Sequence, residues 1–151
     1  MTAQAAAVIK RTNPPELGVP PGYSQVVEVR GGRIIFIAGQ TALDRSGNVV
    51  GTGDFAKQAT QVFENLGIAL HSVGCTAANL IKLTVFLRSM DNLSAYREAR
   101  NRFFTTVTPA AAPAVTLGRS VSALWGGFPD RNRGGRSGVN CGRFHCRKKT
   151  V

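Results

Sequence analysis

The apolar and polar residues near the start of the chain alternate as they do in β-strands. Residues 24–29 place Val27 and Val29 on one face and Glu28 on the other, which predicts a half-buried strand. Gly31-Gly32 follows and predicts a two-residue hairpin turn. The next run, residues 33–38, is rich in isoleucine, so we expect a second strand that is covered on both faces.

A longer segment has the spacing of an amphipathic helix. Its apolar residues recur every three to four positions between Phe55 and Val73, directly after Asp54, which is a good N-cap residue. Gly74 stands where a helix commonly ends. Residues 80–87 then predict another strand.

A second helix and a further strand complete the pattern. Asp91 or Asn92 caps the helix, and the proline- and alanine-rich residues 108–114 end it. Residues 115–117 begin the next strand. The order hairpin, helix, strand, helix, strand has no internal repeat and predicts one α+β domain. With 151 residues, the chain is long enough to bury a core.

The charge divides the chain into two parts. Residues 1–117 carry 11 Lys or Arg against 7 Asp or Glu, a net charge of +4. Residues 118–151 carry 8 against 1, a net charge of +7, and so supply most of the total of +11. A strongly basic chain ordinarily suggests nucleic acid as a partner. Because most of the excess belongs to a glycine- and arginine-rich tail, we do not expect a nucleic-acid partner for the domain.

Three features predict a cytoplasmic protein that contacts no membrane. No apolar run approaches the roughly 18 residues that a spanning helix needs. The first residues lack the charged and then apolar order of a signal peptide. Three cysteines are too few for a disulfide framework.

Few residues suggest chemistry on their own. We interpret His71 as a solvent-exposed helix residue and Cys75 as a buried, unreactive thiol. Gly51-Thr52-Gly53 before a helix resembles part of a phosphate loop, but the full glycine pattern is missing. The remaining possibility is a metal site formed by Cys141, His145 and Cys146. These three lack the paired spacing of zinc sites, so we expect no metal, and we also expect no cofactor.

Five short motifs stand out by their order and spacing: GYSQ at 22–25, IAGQ at 37–40, ENL at 64–66, KLTVFL at 82–87 and MD at 90–91. Together they resemble the Rid family of RidA/YjgF-like proteins over about residues 13–117. The resemblance implies a chorismate-mutase-like α+β fold, with a mixed sheet packed on two helices, and a homotrimer. It also implies ligand clefts between subunits, where archetypal members hydrolyse reactive enamine and imine intermediates.

The resemblance implies a substrate-binding set at Tyr23, Ala38, Gly39, Gln40, Arg97 and Val115. Val115 stands where the family has an arginine that pairs with the substrate carboxylate, and an apolar side chain cannot replace that pair. Ala38 replaces a serine, and Arg97 aligns with an asparagine. Arg97 either supplies the missing cation from another direction or is a solvated helix residue. No residue beyond 117 matches the family's acidic residue, so we assign no catalytic residue.

We therefore expect a Rid-like protein that binds a small carboxylate or imine-like ligand at subunit interfaces and lacks archetypal deaminase activity. One alternative is an active 2-iminobutanoate/2-iminopropanoate-type deaminase, which is a hydrolase. Another is RNA binding or endoribonuclease-like activity, since residues 131–136 resemble an RGG-type segment and Phe144 could stack on a base. We prefer to interpret residues 131–136 as a basic sequence that arises by chance from translation in a shifted reading frame.

Residues 118–151 do not resemble the family, whose members end with two more strands, the last of them alternating apolar and acidic. Residues 118–137 can be encoded by codons that, when read from the second base, give VEVSALCGADFLIEIEAVA, which has the expected pattern. We hypothesise that the chain is out of frame from about Gly118. The tail should then be poorly ordered, pair only near residues 120–124, and leave a sheet edge unpaired.

Overall fold

A computed structural model describes residues 7–107 and 112–120 in full and residues 139–148 by their backbone. Within these residues four strands precede the first of two helices, one strand lies between the helices, and two strands follow. The elements are β1 (Val8–Thr12), β2 (Val26–Arg30), β3 (Arg33–Ile37), β4 (Gln40–Thr41), α1 (Phe55–Ser72), β5 (Leu80–Leu87), α2 (Leu93–Phe104), β6 (Ala114–Arg119) and β7 (Val139–Lys148). Short 3-10 turns precede β5 and α2.

The strands form two sheets. β1 and β2 are an antiparallel pair, and the five-stranded sheet has the order β3-β7-β5-β6, with β4 also paired to β7. β6 runs parallel to β5, whereas β7 is antiparallel to β3, β4 and β5. The larger sheet is therefore mixed, and its buried residues form one core with those of α1 and α2. This confirms the predicted α+β fold.

The helix α1 forms where its sequence pattern predicted. The Asp54 carboxylate accepts a hydrogen bond from the backbone N–H of Lys57 at 3.1 Å, which caps the helix. The apolar stripe turns inward, and Leu66 at its centre is fully buried. Gly74 has a φ of +68°, a left-handed conformation that glycine adopts without strain as the chain leaves the helix.

The strand β5 is the centre of the core. Its inward side chains are entirely buried and are Leu80, Leu83, Val85 and Leu87. From the helix layer, Phe63 stacks on Phe103 with ring centroids 5.1 Å apart and on Tyr96 at 6.1 Å, which joins α1 to α2. None of the helices in the described residues is long and apolar enough to cross a membrane.

Two expectations for β3 were wrong. The strand is not covered on both faces, because Ile34 is 49% and Phe36 is 71% exposed while Ile37 is buried. Nor do β2 and β3 pair as a hairpin, since they belong to different sheets. Gly31 and Gly32 both have a positive φ, as a tight turn requires. Such a turn specifies a chain reversal, but it does not specify which strand the next segment pairs with.

The structure also differs from the poor order predicted for residues 118–151, because residues 139–148 form β7 between β3 and β5. Ladder hydrogen bonds join main-chain groups, so a segment without a strand pattern can still fill a gap between two strands. Of the pairing predicted near residues 120–124, the described part is a hydrogen bond from the Ser120 N–H to the Leu87 carbonyl at 2.9 Å. Residues 121–138 and 149–151 lie outside the described residues.

Candidate functional site

The turn that carries Tyr23 is fastened to the start of β6. The Ser24 N–H donates to the Pro113 carbonyl at 2.9 Å, and the Ser24 hydroxyl donates to the Ala112 carbonyl at 2.6 Å. Ser24 is buried and Tyr23, directly before it, is half-buried. The structure thus brings Tyr23 to the end of the sheet at which β6 begins, next to Val115.

Val115 lies on the core side of β6. It is half-buried, packs against the core and pairs with Leu83 of β5, whereas the next residue, Thr116, is exposed. Successive residues of a strand point to opposite faces, so the two alternate between the helices and the outer face. An apolar residue suits this position because its side chain completes the core.

The second group of predicted residues lies across the sheet from the first. Ala38 and Gly39 are exposed after β3, and the Gln40 side-chain amide donates to the Ala38 carbonyl at 3.2 Å. Ile37 pairs with β7, β7 with β5, and β5 with Val115. Three inter-strand spacings of about 4.8 Å therefore separate the two groups by roughly 14 Å. One chain does not bring the predicted set together.

Arg97 is exposed on α2, but a second arginine one turn further along is not. Arg100 is only 7% exposed and lies about 6.0 Å from the centre of the Tyr96 ring. Its Nη2 donates to the Pro21 carbonyl at 3.1 Å, and Nε and Nη2 both donate to the Asn101 Oδ1. Sequence reasoning missed Arg100, although a basic residue on the inward stripe of a helix is the signal that could have revealed it.

Gly22 lets the turn approach this guanidinium. Its φ is +83°, and a Cβ at this position would lie 2.3 Å from Arg100 Nη2. The left-handed backbone favours glycine here, and a Cβ would displace the guanidinium from its present place. Burial lowers the pKa of Arg100 and repulsion from Arg97 adds to this, while Tyr96 opposes it.

A second arginine, also missed by sequence reasoning, fixes the other side of the same corner. Arg11 of β1 donates from Nε to the Ala112 carbonyl at 3.1 Å and from Nη2 to the Ala78 and Leu80 carbonyls at 2.9 and 3.1 Å. Desolvation by burial lowers the pKa of Arg11. Because all three acceptors are main-chain carbonyls, Arg11 joins the segment before β6 to the start of β5.

An open groove of about 340 Å³ lies next to the glycine motif and is lined by the flanking residues Val50 and Asp54, by α1 and by Arg102 of α2. The N-terminus of α1 is already occupied by the carboxylate of Asp54, which holds the place that a phosphate would take. Backbone hydrogen bonding and Lys57 lower the pKa of Asp54. The segment that resembles a phosphate loop therefore does not form a free anion-binding site.

The other residues considered for chemistry lie apart. His71 is exposed near the end of α1, beside an open groove of about 660 Å³, and Cys75 is buried. The possible metal ligands Cys141, His145 and Cys146 all belong to β7, whose side chains the structure does not describe. Among the described side chains, no group of three or more His, Cys, Asp or Glu is placed to hold a metal.

Comparisons with known proteins give a consistent result. A family model described as Endoribonuclease L-PSP matches residues 16–121. A mouse 2-iminobutanoate/2-iminopropanoate deaminase is 35% identical over 112 residues, which are 74% of this chain and 80% of the relative. A RutC family protein of Synechocystis is 36% identical over 98 residues, 64% of this chain and 74% of the relative.

Solved structures share the fold. A Rid protein family member of unknown function from Yersinia pestis superposes with a TM-score of 0.71 and 25% identity, covering 92% of this chain and 98% of the other. The Escherichia coli YjgF gene product gives a TM-score of 0.60 at 19% identity, covering 77% and 81% of the two chains.

Proposed function

The chain belongs to the Endoribonuclease L-PSP family of RidA/YjgF-like (Rid) proteins, and we propose that it binds a small carboxylate or imine-like ligand between subunits of a homotrimer, without archetypal imine deaminase activity. The observation that carries this proposal is the place of Val115. Its side chain packs against the core from the strand where the family resemblance expects a carboxylate-binding arginine.

The Val115 side chain can neither donate a hydrogen bond nor supply a charge. A bidentate pair between guanidinium and carboxylate both binds and orients a substrate, and orientation is a large part of catalysis. A ligand can still enter beside Tyr23 and be held by other groups. The reaction, in contrast, requires the reacting carbon to be presented to water in one geometry. We therefore expect binding to persist and turnover to be lost.

Two features support association of identical subunits. Tyr23 and the Ala38–Gln40 segment lie near opposite edges of the sheet, so a site that uses both has to combine two copies of the chain. The outer face of β3 also exposes Ile34 and Phe36, and adjacent exposed apolar side chains mark a protein interface. A second copy covers this face and brings the two halves of the site together.

The proposed activity is tested by measuring binding and turnover on the same preparation. Binding of 2-oxobutanoate is measured by calorimetry. Hydrolysis is measured as the rate at which 2-iminobutanoate, generated in the assay by a pyridoxal-phosphate dehydratase, disappears. We expect saturable binding of 2-oxobutanoate and an imine hydrolysis rate no higher than in the same assay without this protein. The mouse deaminase serves as the positive control, and turnover at its rate would overturn the proposal.

The proposed assembly is tested by sedimentation. The full chain should sediment with the mass of three subunits, and Phe36→Ser should lower that mass because it removes an apolar side chain from the outer face. Ile68→Ser is the matched control, since Ile68 is 68% exposed on α1, in the helix layer. A monomeric wild-type chain, or equal effects of the two variants, would count against the trimer.

A further inference from the structure

We propose that Arg100 is the cation that binds the ligand carboxylate in this protein, in place of the arginine that is absent at Val115. The inference rests on the proposed function, because it names the group that recognises the ligand of the same site. It assigns carboxylate recognition to α2 and the Tyr23 turn instead of to β6.

The first argument is the burial of a charge that pairs with no described carboxylate. Arg100 is more than nine-tenths buried, yet among the described residues the ion pairs are those of Arg30 with Glu28 and of Lys57 with Asp54. A buried charge without a counter-charge is strongly unfavourable. Its main-chain and amide acceptors carry partial charges only. An anion bound at Arg100 would supply the counter-charge that the described residues do not.

The second argument is an account of the hydrogen-bond donors. A guanidinium has five N–H groups. Nε and Nη2 of Arg100 supply the bonds to Asn101 and Pro21. No described residue accepts from Nη1, which leaves two N–H groups for a ligand. The two N–H groups of one nitrogen diverge, so Nη1 can donate one charge-assisted hydrogen bond to a carboxylate oxygen, and its second N–H remains for another acceptor atom of the ligand.

The third argument is location. The bond from Arg100 to the Pro21 carbonyl places the guanidinium two residues from Tyr23, and Ser24 ties the same turn to the start of β6. Gly22 has no side chain that would separate the turn from the guanidinium. Arg97, one helical turn earlier, raises the local positive potential. The cation therefore lies on α2 beside the turn that carries Tyr23, and the same turn contacts the segment before β6.

The test compares a carboxylate with its uncharged amide. The affinities of 2-oxobutanoate and 2-oxobutanamide are measured by calorimetry for the full-length wild-type chain and for Arg100→Met, Arg100→Lys and Arg102→Met. The Arg100→Met variant loses a charge-assisted hydrogen bond. It should therefore bind 2-oxobutanoate about tenfold to hundredfold more weakly than the wild type, whereas its affinity for the amide should be unchanged. Arg100→Lys should restore part of the loss. Arg102, which is exposed and donates to Thr60 of α1, is the matched control.

The wild-type chain gives a second measurement that does not depend on a variant folding. With ¹⁵N-labelled arginine, the guanidinium signals of Arg100 should shift on titration with 2-oxobutanoate and not with the amide. An unchanged carboxylate preference in Arg100→Met, or unshifted Arg100 signals while 2-oxobutanoate binds, would overturn the inference and leave the proposed function intact. A wild-type chain that binds neither compound would overturn both.

Discussion

Two neighbouring strands of the larger sheet, β5 and β7, differ in their sequence pattern: β5 has the alternation typical of a strand, and β7 does not. In β5 the side chains alternate, and its four inward residues are entirely buried. β7 lies beside it along Val139–Leu87 to Cys146–Leu80, yet it comes from a basic segment with little strand pattern. The contrast shows that side-chain pattern and main-chain pairing are separate requirements, since the first predicts where a strand forms and the second allows any segment to complete a ladder.

The free edge of β5 explains why β7 pairs with it. One edge of β5 pairs in parallel with β6, and the other edge would be left with unpaired main-chain groups next to a buried core. Unpaired N–H and C=O groups at such an edge are costly. Main-chain bonds to β7 remove this cost.

The largest effect should come from removing a main-chain donor in β7. Cys141 pairs with Gln40 on one side and Val85 on the other. Cys141→Pro should lower the free energy of unfolding by about 3 kcal/mol, because proline has no N–H and is not accommodated inside a sheet. Cys141→Val, which retains the donor, should change it far less. Urea denaturation gives both values, and equal stabilities would show that β7 is not part of the folded sheet.

A smaller but opposite effect is expected from restoring the side-chain pattern. A chain in which residues 118–151 are replaced by VEVSALCGADFLIEIEAVA should be more stable than the original by at least about 2 kcal/mol, the contribution of one fully buried aliphatic side chain. Urea denaturation of the two chains measures the difference. Sequencing the coding DNA across codon 117 tests the frame hypothesis itself. A replacement chain no more stable than the original would contradict the expected strand pattern.

The same separation explains what the sequence could predict. The limits of α1 follow from Asp54 and Gly74, and the burial of β5 follows from its alternation, because both are local properties of the chain. The pairing of β3 with β7 could not be derived, since it depends on which edge is unoccupied in the folded chain. Arg100 was missed for a related reason: its role depends on the Pro21 carbonyl, 79 residues away in sequence.

The site residues divide in the same way. Tyr23 was named by the family resemblance through the motif GYSQ, whereas its separation of roughly 14 Å from the Ala38–Gln40 segment follows from the strand order, three spacings of the sheet. Family resemblance named the residues but did not show which chain supplies each one. Only the topology indicates that a site using both groups needs a second copy.

A moderate effect should distinguish the two faces of β6. Val115→Arg places a charge against the core and should lower the free energy of unfolding by about 1–2 kcal/mol without creating deaminase activity. Thr116→Arg, at the next and exposed position, should change it by less than about 0.5 kcal/mol. Thermal denaturation and the imine assay measure the two outcomes. A gain of deaminase activity in Val115→Arg would show instead that this side chain reaches the ligand.

The smallest effect concerns the cap that sets the start of α1, the best predicted element. Hydrogen bonds from the first turn and the charge of Lys57 hold the pKa of Asp54 below its ordinary value of about 3.9. The cap therefore stabilises the fold fully above that value, and its contribution is lost as the pH falls through the lower folded-state pKa. Asp54→Asn retains an acceptor but does not titrate, so its melting temperature should fall less between pH 7 and pH 3 than that of the wild type. Asp54→Ala should be less stable at pH 7, and a parallel acid loss in the wild type and Asp54→Asn would show that the carboxylate charge does not contribute to the cap.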